Sequence, residues 1–245
     1  MVAFPECAAS GRLSLTVSTV DCEGKSTREV NREIRRLIEA GEREITLLNP
    51  RARHNLAVAI LRPVRIVIEG SVGYYCGGMI DGPTVEIRGS AGWGVAECMM
   101  AGTVIVEGNA GNGAAASIRG GTVVIKGDAA ARAGISMKGG TLIIQGNAGY
   151  MTGFMAQKGT IVILGDAGEA LADSMYEAEV FVAGRIAELG NDAVIHEPAP
   201  AELAALSATL GRFGLTAPKH LKKVIAGRKL WNFDKKDFEL WREAL

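Results

Sequence analysis

Glycine stands at positions 70, 89, 108, 127, 146, 165 and 184, a step of nineteen residues held without one insertion. A second series, Gly102, Gly121, Gly140 and Gly159, keeps the same step, with Pro83 and Ala178 at its two ends. Self-similarity at one fixed period of this length is the signature of a stacked, quasi-one-dimensional array. The chain holds 32 glycines in 245 residues, roughly twice average usage, and their regular spacing sets them apart from a disordered low-complexity tract.

Aligned at that step, residues 65–69, 84–88, 103–107, 122–126, 141–145, 160–164 and 179–183 are rich in β-branched side chains, as half-buried strands are. Side chains alternate faces along a strand, so each segment splits into columns. The second column reads Ile66, Val85, Val104, Val123, Leu142, Ile161, Val180, and the fourth reads Ile68, Ile87, Val106, Ile125, Ile144, Ile163, Val182. Both are wholly aliphatic and face a core. With one strand register per coil and no helix between coils, the expected fold is mainly β, a parallel β-helix of nineteen-residue coils. A further apolar column, Ile80, Met99, Ile118, Met137 and Met175, closes the opposite wall. The fifth column, Glu69, Arg88, Glu107, Lys126 and Gln145, alternates in sign, which in-register parallel stacking favours.

The third column ought to face outward, yet Ile105, Val124, Ile143, Val162 and Phe181 form an apolar stripe along it. Such a stripe needs a cover. The amino-terminal helix, the carboxy-terminal segment or another subunit would serve, so these five residues are candidate interface positions. Tyr74, Tyr75 and Trp93 make the first coils bulkier at one edge. Glu97 and Asp173 share a column with Ala116, Ile135 and Phe154. They mark a passage or the polar ends of the core if that column points inward, and are solvated if it points outward. The Asn and Asp residues after the turn glycines are expected to bond the local backbone.

Three parts follow: an amino-terminal module over 1–64, the β-helix over 65–190 and a carboxy-terminal cap over 191–245. In the first, Ser26 and Glu29 form a capping box ahead of an amphipathic helix with Val30, Ile34, Leu37 and Ile38 on one face. The first rung is expected at 65–69. The cluster Arg51, Arg53, His54 and Asn55 reads as a polar corner, with an anion site as the alternative. At the other end, 202–210 is an Ala/Leu-rich helix, 219–225 a second short helix, and Trp231, Phe233, Phe238 and Trp241 crowd the tail.

Lys plus Arg equals Asp plus Glu at 27 each, so no basic surface points to nucleic acid. Cys7, Cys22, Cys76 and Cys98 form no CxxC pair and read as reduced thiols. No signal pattern stands at Met1 and no apolar run is long enough for a membrane helix, which leads to the expectation of a cytoplasmic protein. There is no nucleophile–base pair, metal-ligand spacing or phosphate loop.

The Gly-Asn-Ala-Gly turns and the Lys-Gly-Gly-Thr-Leu-Ile-Ile run at 138–144 resemble the Gly-x-Gly-x-Gly domain of glutamate synthase. Four stretches look most like the stand-alone β-helix subunit of N-methylglutamate synthase-type complexes. They are Gly73-Tyr-Tyr-Cys-Gly-Gly78, Val95-Ala-Glu-Cys-Met-Met100, Gly153-Phe-Met-Ala-Gln157 and Gly165-Asp-Ala-Gly-Glu-Ala-Leu-Ala-Asp-Ser-Met-Tyr-Glu-Ala178. A departure is Ala129-Ala-Ala-Arg132, which puts an Arg at a corner. The resemblance implies a right-handed parallel β-helix with small helical terminal segments, in a hetero-oligomer. It implies a non-catalytic structural and channelling subunit between a glutaminase-like subunit and an FMN/iron–sulfur synthase subunit. FMN and iron–sulfur clusters would sit in that partner, with no cofactor in this chain. The reaction implied converts glutamate and methylamine to N-methylglutamate and ammonia. The scaffold subunit of formylmethanofuran dehydrogenase is similar to the same family and is the alternative; an independent β-helix enzyme of the carbohydrate type would need an outer carboxylate cluster.

Overall fold

The computed structural model describes residues 18–227. Its elements, in chain order, are β1 (Ser18–Asp21), α1 (Thr27–Glu39), β2 (Glu44–Leu48), β3 (Arg65–Ile68), β4 (Asp81–Ile87), β5 (Ala101–Val106) and β6 (Thr122–Ile125). There follow β7 (Lys138–Ile144), β8 (Lys158–Ile163), β9 (Glu179–Val182), β10 (Ala193–His196), α2 (Pro200–Gly211) and β11 (Lys222–Ala226). One sheet holds all the strands in the order β1 to β9, then β11, then β10. From β1 to β9 every neighbour is parallel, with Val85 beside Val104, Val104 beside Val123 and Val123 beside Leu142. This is the parallel solenoid that the columns demand.

The second and fourth columns are shut off from solvent along the whole rod, as is the opposing wall of Ile80, Met99, Ile118, Met137 and Met175. Each aliphatic side chain so buried contributes about 1.5–3 kcal/mol. The interior is therefore filled.

Two rungs precede the one expected first. β1 pairs in parallel with β2, and β2 with β3, with Ser18 beside Ile45 and Ile45 beside Ile66. The steps are 27 and 21 residues, against 19 afterwards, so the glycine period cannot register them. The extra length of the first coil houses α1. Its start is fixed as expected: the Ser26 Oγ accepts the Glu29 N–H at 3.3 Å, and Glu29 Oε2 accepts the Ser26 N–H at 2.7 Å. Val30 and Ile34 are buried, and Leu37 and Ile38 lean on the same core.

The corner at 51–55 is structural. Arg53 donates to the Cys22 carbonyl, His54 Nδ1 accepts the Tyr74 N–H, and Asn31 of α1 bonds the Asn55 carbonyl and the Ala57 N–H.

Each coil leaves its strand through a ladder of side chains that differs from the expected local turn bonds. Ser71 Oγ accepts the Ser90 N–H, Ser90 Oγ the Asn109 N–H, and Asn109, Asp128, Asn147 and Asp166 each accept the N–H nineteen residues on, at 2.7–3.1 Å. The bonds run between coils, not within a turn. Six-residue turns then recur at 74–79, 93–98, 112–117, 131–136, 150–155 and 169–174. Their second, fourth and sixth residues have positive φ, glycine or not, as at Tyr75, Gly77 and Met79. Left-handed backbone costs about 1–2 kcal/mol for a residue with a Cβ. Here it is held by the stack: Tyr75 N donates to Trp93 O of the next coil, Gly77 N to Leu56 O of the preceding one, and Met79 N to Glu97 O of the next. We call this irregular face the turn wall.

The segment expected as a second short helix at 219–225 is instead β11, antiparallel to both β9 and β10. The edge of β9 offers unpaired N–H and C=O groups, and a strand satisfies them where a helix cannot. The aromatic tail at 231–241 lies outside the described residues, as does Cys7.

Candidate interaction site

The outer stripe is covered by the chain itself. Val124, Ile143, Val162 and Phe181 are buried and Ile105 partly so, in a second core built with Leu206 and Leu210 of α2 and with Leu221. Of the covers considered, the carboxy-terminal segment is the one observed, and these five residues are no open docking surface. Lys223 of β11 fastens the cover, pairing with Glu179 at 2.5 Å and with Glu202 of α2. Burial works to lower its pKa, but the two carboxylates outweigh burial and the net shift is upward. Closer to the amino terminus the same outer face is charged. Arg65 pairs with Glu44 and, at 2.9 Å, with Glu86, while Lys126 pairs with Glu107 at 2.9 Å. Arg88 meets Glu86 of its own strand at 2.9 Å and Glu107 at 3.8 Å.

Tyr74, Tyr75 and Trp93 lie on the turn wall, and all three are exposed. His54 stacks on Tyr74 with ring centroids 4.4 Å apart, and Tyr74 on Trp93 at 5.2 Å and 16°. These spacings bracket the separation of neighbouring strands, about 4.8 Å, so the stack climbs one ring per coil. Glycines make room for it. A Cβ on Gly92 would sit 2.7 Å from Tyr74 Cδ1, and one on Gly111 2.6 Å from Trp93 Cδ1.

The stack stops at Trp93, because the next two coils carry Asn112 and Ala131 in its place; the column carries a ring again at Tyr150. The missing rungs open a groove of about 490 Å³, walled by Tyr75, Trp93, Glu97, Asn112, Arg132, Ile135 and Tyr150, with Gly94, Gly113 and Ala116 between them. Glu97 is only half buried, as are Ala116, Ile135 and Phe154, so that column points outward. The Glu97 Oε2 atom and the Tyr75 ring converge above Gly94, at 3.0 Å and 2.5 Å from where its Cβ would stand. Among the described residues neither Glu97 nor Arg132 has an ion-pair partner.

Asp173 does not join them. It is buried at the far end, where its carboxylate accepts from Ser174 Oγ at 2.7 Å and from the N–H and Nδ2 of Asn191 at 3.1 Å and 3.0 Å. It anchors the last half-coil. Tyr150, Asn112 and the stacking role of His54 were not read from the sequence. Tyr150 stands three steps after Trp93 in one column, which was the available signal.

Cys76, inside the first resemblance stretch, points into the core, where desolvation pushes its thiol up to about 12. It stays protonated and cannot act as a nucleophile. The described residues hold no group of three or more His, Cys, Asp or Glu placed to bind a metal ion, and no helix long and apolar enough to cross a membrane.

Protein GlxC from Rhizobium meliloti (strain 1021) is 49% identical to the chain over 219 residues, which cover 88% of this chain and 96% of that protein. The chain belongs to the GlxC family. No protein-family model matches it. A chain in the X-ray crystal structure of the formyltransferase/hydrolase complex (FhcABCD) from Methylorubrum extorquens, in complex with methylofuran, is similar with a TM-score of 0.49 and 21% identity. That likeness covers 84% of this chain and 86% of that one, and it is too distant to carry weight for function.

Proposed function

We propose that this member of the GlxC family is a non-catalytic structural and channelling subunit of a glutamate-synthase-like complex. It bridges a glutaminase-like subunit and an FMN/iron–sulfur synthase subunit that together form N-methylglutamate from glutamate and methylamine. The supporting observation is where its apolar surface lies. Of ten large hydrophobic side chains exposed among the described residues, seven (Tyr74, Tyr75, Met79, Trp93, Met100, Tyr150 and Met155) lie on or beside the turn wall. All four stretches that resemble the N-methylglutamate synthase-type subunit run through that wall. Exposed aromatic and methionine side chains on a rigid frame have the composition of a protein interface. The filled interior supports a route for the amine along the outer wall, between this chain and a partner, not along the rod's axis.

Co-purification tests the reading. The chain, isolated from its own cell, is expected in a complex with two larger chains that absorbs as flavin plus iron–sulfur and makes N-methylglutamate. A stable lone chain would overturn it, and a molybdenum or tungsten pterin in the complex would favour the formylmethanofuran dehydrogenase alternative.

A further inference from the structure

The groove at the break in the aromatic stack sets a carboxylate beside exposed rings at one end and a guanidinium at the other. Trp93 is exposed and lines the groove, and the next coil supplies Asn112, whose Oδ1 accepts the Ala131 N–H at 3.2 Å, in place of a further ring. Tyr75 and the Glu97 carboxylate meet over Gly94 beside it, and no described residue neutralises Glu97. An aromatic face with an unpaired carboxylate at its edge attracts a positive group through the ring quadrupole and the ion pair together. The rings already stack at 4.4 Å and 5.2 Å, so a planar group laid on Trp93 would extend an existing ladder. Guanidinium is planar, always charged and weakly hydrated, and it stacks on aromatic faces; a lysine ammonium has none of that planarity.

We propose that this groove receives an arginine side chain from an extended segment of a partner subunit, stacked on Trp93 and paired with Glu97. A protein segment fits better than a free small cation. The gap from Trp93 to Tyr150 spans three coil steps, about 14 Å, which one guanidinium does not fill. At its other end Arg132 has no ion-pair partner among the described residues, so the same segment meets a positive group there and is best matched by an acidic residue. The inference rests on the proposed assembly with partner subunits.

A diazirine-bearing residue in place of Ala131, in the full chain expressed in its own cell, tests it by irradiation and mapping of the cross-linked peptide. The expected product is a peptide of a different polypeptide with an arginine within two residues of the attachment point. Glu97→Gln should lower the cross-link yield at least ten-fold, and Glu97→Asp should retain most of it, with the melting temperature of both variants unchanged. Attachment to this chain itself, to a small molecule or to a peptide without arginine overturns the proposal. So does a yield indifferent to Glu97→Gln, or no cross-link in a complex that still assembles. If no heteromeric complex purifies, the assembly reading fails and takes this inference with it; if the complex purifies and only the cross-link departs, the inference fails alone.

Discussion

Asn147 Oδ1 accepts the Asp166 N–H at 2.8 Å, while its own N–H donates to Asp128 Oδ1 at 2.7 Å. Neutral Asn109 and Asn147 alternate with Asp128 and Asp166, so no two carboxylates lie on adjacent rungs about 4.8 Å apart. Asn147→Ala removes one inter-coil bond and should cost about 1 kcal/mol, or roughly 2–4 °C of melting temperature. Asn147→Ser should restore most of that loss, since Ser71 and Ser90 serve in the same column. Asn147→Asp keeps the acceptor but stacks three like charges. Urea titrations at low salt should find it less stable than Asn147→Ser, with the gap narrowing as added salt screens the charges. A gap unchanged by salt would mean that charge plays no part in the alternation. The glycine period made the residues of this ladder legible, but their bonds run between coils, which no local turn rule reveals. The groove was harder to read because it is defined by what Asn112 and Ala131 lack between Trp93 and Tyr150.

At the level of elements, α2 and β11 act as a clasp over β6 to β9. Ile143→Glu would place a charge under α2 where Leu206 and Leu210 pack, and the lone chain should lose about 3 kcal/mol or more in denaturant titrations. Loss of complex assembly without loss of stability would contradict the observed cover. Lys223 gives the clasp a pH window. Its pKa is raised, so its contribution is complete below the ordinary lysine value of 10.5 and lost as pH climbs through the higher folded value. The bond from Lys223 first, and that from the Ala199 N–H second, hold Glu202 below the ordinary 4.5, so its contribution is present above that value and lost as pH falls through the lower folded one. The clasp should therefore be tightest from about pH 5 to pH 10. Exchange protection of α2, relative to the intrinsic rate at each pH, should fall on either side, and Lys223→Met should flatten the alkaline limb. The sequence announced that the stripe needed a cover but not which one. An Ala/Leu-rich helix carries too uniform an apolar face to declare its seat, and the strand character of β11 comes from the open edge of β9, a tertiary feature.

As a whole molecule, the solenoid is quasi-one-dimensional, with each coil contacting only its neighbours. Its middle was legible because nineteen-residue coils repeat their chemistry. How its ends join the stack was not, since the 27- and 21-residue coils around β1 and β2 and the antiparallel β10 and β11 break the period. The outer face divides accordingly into a charged half, where Arg65, Glu86, Arg88 and Glu107 pair across coils, and an apolar half under α2. In such a rod a local injury ought to stay local. Leu206→Asp with Leu210→Asp in the full chain should undock α2 and expose Val124, Ile143, Val162 and Phe181, an apolar surface that binds hydrophobic dyes and promotes self-association. Exchange protection should fall in β6 to β9, while β3 and β4, which share no buried cluster with α2, keep theirs. A uniform loss along all nine parallel strands would instead show that the rod unfolds as one cooperative unit, and that α2 stabilises coils it never touches.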